Sequence, residues 1–389
     1  MGLILVIAAA ISIVTLLVDP NRFKGRIEAA VQDATGYPFK INGNLDIAWY
    51  PWLAVRTGAA QLGEGEPLLQ WQSARVGAQL IPLIRGRIVI SRVRLERLQA
   101  HLRRTANGHA NWDFWLSHHG QSGGSTGQTP EIGGVEIRDG SLEYLDERDG
   151  TSIRVSDWTL DVDEWKSGKP FSLRTRFVLQ YGPLSAVRIP IELKAPEIQM
   201  QSAPTAISVP RFEWQVADAR LSGSIVLKSV EPLRAAGVLG VETASLRKLL
   251  SDLGVGGPRP RDAATLGAFR MTTRWTAEND VITVKPIEMQ LDQTKLDGEL
   301  VRSGLSESVW NFNLRGDRIE LSRYTQIEDD NSEPFELPTA ALKALRMQGT
   351  LHFNEAQLAD ARMKDVRLRL ELEDGQLRDA TSPPSSIAP

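Results

Sequence analysis

Cysteine is absent from the 389 residues, which excludes disulfides, thiolate nucleophiles and thiolate-held metals. Histidine is scarce, with five residues at 101, 109, 118, 119 and 352, so little material exists for imidazole catalysis. No excess of either charge is present: 45 basic side chains stand against 48 acidic ones, for a formal charge of -3. Such balance carries no electrostatic footprint for nucleic acid. No GxGxxG follows a strand, and P-loop and HExxH motifs are missing. The acidic clusters Glu328-Asp329-Asp330 and Asp161-Val162-Asp163-Glu164 have no basic, aromatic or ligating company, and read as solvated charges. The adjacent pair His118-His119 lacks carboxylate or thiol neighbours and reads as the edge of a linker. The sequence therefore predicts no catalytic residue, no metal site, no cofactor and no enzyme.

What is present begins with an apolar run. Gly2 to Val18 holds only the hydroxyls of Ser12 and Thr15 as polar side chains. Leu3, Ile4, Leu5, Val6, Ile7, Ile11, Ile13, Val14, Leu16, Leu17 and Val18 give it the hydropathy of a membrane helix. At 1.5 Å per residue it reaches roughly 25 Å, the low end of a bilayer crossing. Ala8-Ala9-Ala10 offers a small-residue site for a cleaved signal peptide. Against cleavage, nothing positive precedes the run, and it continues for eight residues beyond the alanines. Residues 1–18 are thus expected to be an uncleaved anchor. Arg22, Lys24 and Arg26 follow it, which taken literally places the body in the cytoplasm.

Residues 19–117 are expected to hold one amphipathic helix and a meander of short strands. Asp19-Pro20-Asn21 supplies an N-cap candidate and Gly36 a C-cap. Between them Phe23, Ile27, Ala30, Val31 and Ala34 share one stripe, suited to covering a sheet edge. From Tyr37 the period shifts to two, as in Ile41 to Trp49, Ala74 to Leu83, Arg87 to Leu95 and Ala100 to Arg104. Residues 118–131, rich in Gly, Ser, Thr and Gln, are a linker or loop.

Residues 132–378 form a second body of one-faced strands. Phe171, Leu173, Phe177 and Leu179 alternate with Ser172, Arg174 and Arg176. The same pattern recurs at Phe212 and Trp214; Leu221, Ile225 and Leu227; Ile287, Met289 and Leu291; Trp310 and Phe312; and Leu368 and Leu370. Such alternation is the antiparallel signature, with one apolar and one wet face. Short helices are expected near 242–253 and 340–345, and residues 379–389 read as a disordered tail. The fold expected is mainly β with few helices. A membrane helix leads into an elongated, curved, mostly antiparallel sheet whose inner face forms a groove. The apolar faces either interdigitate as a filled core or stay open as a trough, and an open trough suits lipid.

Several short motifs, in order, resemble the AsmA family of bacterial envelope proteins over nearly the whole length. They are Val18 to Lys24, Ala34-Thr35-Gly36-Tyr37-Pro38, Tyr50-Pro51-Trp52-Leu53, Leu80 to Ile88, and Asn107-Gly108 with Asn111-Trp112-Asp113. After the linker come Ile137 to Leu142, Leu246 to Leu250, Leu321 to Tyr324, Gly349-Thr350-Leu351 and Asp374-Gly375-Gln376-Leu377. The resemblance implies a single inner-membrane helix, a periplasmic body, and a β-groove related to TamB and the chorein-type bridge proteins. It implies outer-membrane assembly components and phospholipid as partners, and it opposes the literal positive-inside reading if a cytoplasmic stub is short or missing. The expected lining is Leu173, Phe177, Phe212, Trp214, Ile225, Met289, Leu291, Trp310, Phe312, Leu368 and Leu370. The alternative function is a scaffold or assembly factor that carries no lipid. A departure from the family lies at the C-terminus, where a Pro/Ser tail stands in place of further strands; a short paralogue and a truncated product both fit.

Overall fold

A side-chain period of two over most of the chain dictates strands, and the computed structural model is mostly β with few helices. It describes residues 20–48, 54–78, 90–113, 133–163, 168–181, 187–202, 205–230, 232–254, 260, 262, 264–303, 309–324, 346–358, 360–373 and 376–379. The expected anchor, linker and helix at 340–345 lie outside these residues, as does the expected tail beyond Asp379, which itself ends a strand. No described helix is long and apolar enough to cross a membrane. Two units separate at Pro196 and Glu197.

The first unit opens with a 3-10 turn, Pro20–Phe23, that runs into helix α1, Lys24–Thr35. Phe23 caps this helix without a side-chain bond, and Asp19 of the expected N-cap lies outside the described residues. Asn21 instead accepts the Leu45 N–H at 3.0 Å, and Glu28 accepts that of Ile41 at 2.8 Å. These two side chains fasten α1 to the backbone of the first strands. Gly36 ends the helix at φ 73°, the left-handed geometry that glycine adopts without a Cβ penalty. Ile27 packs beneath it on Ile41, Leu45 and Ala60, with Phe39 stacked on Trp71 at 5.7 Å.

Eight short strands follow: β1 Phe39–Ile41, β2 Leu45–Ala48, β3 Ala54–Thr57, β4 Ala60–Leu62, β5 Leu69–Trp71, β6 Ser73–Ala78, β7 Ile90–Glu96 and β8 Gln99–Arg104. They form two ribbons, β1–β4–β5–β8 and β2–β3–β6–β7, paired antiparallel. Both ribbons end on β9, Val135–Asp146, in parallel pairing; β7 takes its first half and β8 its second. The chain on either side of the 118–131 segment therefore contributes to one sheet. Strands β10, Thr151–Val162, and β11, Phe171–Tyr181, extend it antiparallel, and β12, Val187–Ser202, crosses the unit boundary.

The second unit is a run of consecutive pairings. It comprises β13 Thr205–Val216, β14 Ala219–Ser229, β15 Arg234–Thr243, β16 Phe269–Glu278, β17 Val281–Leu291, β18 Thr294–Ser303, β19 Val309–Glu320, β20 Arg346–Leu358, β21 Ala361–Glu373 and β22 Gln376–Asp379. Tight hairpins join several neighbours, with positive φ at Ala217, Asn279 and Asp292, as twisted two-residue turns require. All described pairings here are antiparallel except β19–β20, which is parallel. The sheet is thus mixed. Helix α2 spans Leu246–Asp252, shorter than expected, because Glu242 and Thr243 finish β15 and Ser245 then accepts the Lys248 N–H as N-cap. A single turn, α3, covers Leu321–Tyr324.

Candidate functional site

Cross-strand register decides whether alternating apolar residues meet, because directly paired positions share a face. In the second unit they meet in four rows across the nine strands β13 to β21. One row is Trp214, Leu221, Val241, Met271, Met289, Leu296, Gly316, Phe353 and Val366. The next is Phe212, Gly223, Leu239, Thr273, Ile287, Gly298, Leu314, Leu351 and Leu368. A third holds Val209, Ile225, Gly237, Trp275, Val284, Leu300, Phe312, Gly349 and Leu370. The fourth is Ile207, Leu227, Ala235, Ala277, Ile282, Arg302, Trp310, Met347 and Leu372. Bulges in β13 and β17 absorb the odd spacings, so the face is kept through each irregularity.

This face is apolar yet incompletely covered. Trp214 is 39% exposed and Ile225 36%, while Phe212 and Ile287 are buried at 8% and 7%. Met289, Leu291, Trp310, Phe312, Leu368 and Leu370 are half-buried. The reverse face is wet: Arg220, Glu242, Arg270, Gln290 and Lys295 make one of its rows, and Asp297, Arg315, His352 and Arg367 another.

Glycines recur opposite aromatic rings: Gly223 with Phe212, Gly237 with Trp275, Gly316 with Phe353, and Gly349 with Phe312. A Cβ on Gly237 would stand 2.8 Å from Trp275 Nε1, and one on Gly349 2.7 Å from Phe312 Cγ. The bare backbone lets each ring lie over the neighbouring strand, which pins register and smooths the face.

In the first unit the same physics aligns Val55, Val76, Val93, Val135, Val162 and Leu173 across β3, β6, β7, β9, β10 and β11. Leu173 and Phe177 are half-buried and, two positions apart twice over, share a side of β11. The reverse row is charged: Arg56, Arg75, Arg94, Glu136, Asp161 and Arg174. Glu136, 1% exposed, accepts from Arg138 Nε at 2.5 Å and Arg94 Nε at 2.8 Å. Burial alone would raise its pKa, and the two guanidiniums outweigh it, holding the carboxyl below the usual range. Asp161 and Asp163, singled out as an acidic cluster, pair with Arg92 at 3.8 and 3.4 Å.

At the strand ends that carry α2 and α3, a polar network closes the second unit's edge. Arg323 Nε donates to Asp262 at 2.7 Å, Arg247 donates to the carbonyl of Thr265 at 2.8 Å, and the Tyr324 hydroxyl donates to Asp292 at 2.9 Å. Burial and the Asp292 bond push Tyr324 up to about 12.

Nine of the eleven residues expected to line a groove thus lie on one side of the second unit's sheet, and Leu173 and Phe177 on the corresponding kind of face in the first. Sequence reading missed Met271, Trp275 and Leu239, although the alternation in Phe269–Glu278 signals the first two. Leu239 was hidden because its neighbours along the face are Gly237 and Val241, one of them without a side chain. Arg302 was missed because register, not composition, puts it on the apolar side.

The class defined by this geometry is an amphipathic β-sheet protein whose apolar face is left half-open. A family model described as the AsmA family matches residues 1–215, and the chain belongs to that family. It is 29% identical over 99 residues to Protein AsmA of Escherichia coli (strain K12); the aligned stretch covers 25% of this chain and 16% of that protein. No solved structure matches.

Proposed function

We propose that this chain is anchored in the bacterial inner membrane by residues 2–18, exposes its body to the periplasm, and holds phospholipid on its apolar sheet faces in the service of outer-membrane biogenesis and lipid homeostasis. The observation that carries the reading is the second unit's face: four apolar rows cross nine strands, with Trp214 and Ile225 more than a third exposed. At about 4.8 Å between strands, such a face is roughly 38 Å long. An acyl chain is an apt partner because each CH₂ left in water costs about 0.8 kcal/mol, or roughly 11 kcal/mol for a 14-carbon tail. Contacts of this kind do not depend on stereochemistry, so binding requires no catalytic or metal-binding side chain. Outer-membrane assembly components are the partners that the family relationship favours.

Photo-cross-linking in cells tests this, with probes at Leu173, Trp214, Leu291 and Leu370 and mass analysis of the adducts. Phospholipid attached at several positions is the expected result. Adducts only to the protein's own strands would overturn it and favour a scaffold with a packed core.

A further inference from the structure

Among the four apolar rows of the second unit, one side chain is charged. Arg302 sits at the end of β18, paired with Ile282 on one side and Trp310 on the other. Its guanidinium carbon lies 5.8 Å from the centre of the Trp310 ring. Its Nε is buried and makes no hydrogen bond, and among the described residues no carboxylate pairs with it. Three other arginines of this unit are each matched by a carboxylate: Arg270 by Glu242, Arg318 by Glu355 and Arg323 by Asp262. Stacking on an indole uses the flat face of a guanidinium and leaves its in-plane N–H groups available, in the fork geometry that suits a phosphate. A lone cation on an apolar sheet face is costly unless an anion meets it.

We infer that Arg302 and Trp310 form a phosphate-recognition corner, which takes the phosphodiester of a phospholipid whose acyl chains lie on the apolar rows beside it. This rests on the reading that the face holds lipid, and adds to it a fixed position and chemistry for the headgroup. Arg104 over Trp112 in the first unit, at 5.5 Å, differs in having Asp146 directly across the ladder. Of these two stacked arginines, Arg302 alone stands among uncharged partners in its row.

The test uses the full chain purified in detergent and exchanged with dioleoylphosphatidylglycerol or with dioleoylglycerol, which has the same tails and no phosphate. Retained lipid is weighed by native mass spectrometry for the unaltered chain, Arg302→Gln and Arg302→Lys. The expected result is loss of phosphatidylglycerol by about tenfold in Arg302→Gln, with diacylglycerol retention unchanged and most phosphatidylglycerol kept in Arg302→Lys. Diacylglycerol retention also reports that the variant face is folded. If Arg302→Gln keeps phosphatidylglycerol, or loses both lipids equally, the headgroup corner is overturned while the lipid reading stands. If the unaltered chain retains neither lipid, both are overturned.

Discussion

Ile225 and Ile287 lie in neighbouring rows of the same apolar face, yet one is 36% exposed and the other 7%. Aspartate at each position therefore tests whether the face is open. Fully burying an isoleucine is worth about 1.5–3 kcal/mol, so the roughly two-thirds burial of Ile225 corresponds to about 1–2 kcal/mol. Aspartate's poor fit to a strand adds up to about 1 kcal/mol. Its carboxylate reaches water there and carries no burial penalty, so Ile225→Asp should cost about 1–3 kcal/mol. At Ile287 the apolar loss is complete and a charge is also forced out of water, which adds several kcal/mol and takes the total to about 5 kcal/mol or more. In urea, with a slope of about 2–3 kcal/mol per molar, Ile225→Asp should lower the midpoint by about 1 M while Ile287→Asp leaves little folded protein. Tryptophan fluorescence reads both, since Trp214 and Trp275 stand on the same face. Equal losses at the two positions would refute the reasoning, because they would mean that Ile225 is covered in the folded chain. Phe212, at 8% exposure, belongs with Ile287: Phe212→Asp should unfold the second unit, whereas Trp214→Asp should leave it standing.

Leu45 is 1% exposed in the cluster under α1, so Leu45→Ala should cost about 2–5 kcal/mol and loosen the helix, read as faster amide exchange over Lys24–Thr35. Acid should weaken the first unit: Asp146, through its Arg148 bond, and Glu136, through its guanidiniums despite burial, both titrate below their ordinary values. Their stabilisation is therefore present above the unfolded carboxylate range near pH 4 and fades as pH falls below it, so circular dichroism should show the onset of unfolding there, and Glu136→Gln should shallow the pH dependence. Tyr324 has the opposite sign: its contribution is intact below pH 10 and is lost as pH rises toward about 12. Ultraviolet titration should show one of the five tyrosines ionising late, and Asp292→Asn should bring it down.

The strands were legible because their alternation is strict. Phe171 to Leu179 and Val366 to Leu372 announce a face with no help from tertiary structure, and both faces occur where the period puts them. Which strand pairs with which was not legible. That β9 receives β7 and β8 in parallel, and β20 lies parallel to β19, depends on connections whose course leaves no local residue pattern. Helix α1 was visible in its stripe, but the bond from the Leu45 N–H to Asn21, a partner 24 positions away, was not. A tertiary hydrogen bond of this kind is one that a position-by-position reading cannot anticipate. The candidate site divides in the same way, since apolar lining follows from period alone and the placement of Arg302 follows only from register.

That division bears on how such a face stays open. A sheet with one apolar side ordinarily folds against another layer, and a flat apolar edge invites aggregation. Here the glycines at 223, 237, 316 and 349 sit beneath Phe212, Trp275, Phe353 and Phe312. Each ring covers backbone on its own sheet, so part of the apolar area is buried within a single layer, without a second one. This explains how Phe212 and Phe353 reach 8% and 3% exposure on the same face that leaves Trp214 and Ile225 open. If rings over glycines supply that single-layer stability, Gly237→Val should lift Trp275, raise its accessibility to a soluble fluorescence quencher, and destabilise the second unit by about 1–3 kcal/mol through overpacking. An unchanged Trp275 environment with unchanged stability would show that the sheet draws its coherence from elsewhere, and that the openness of the face needs a different physical account.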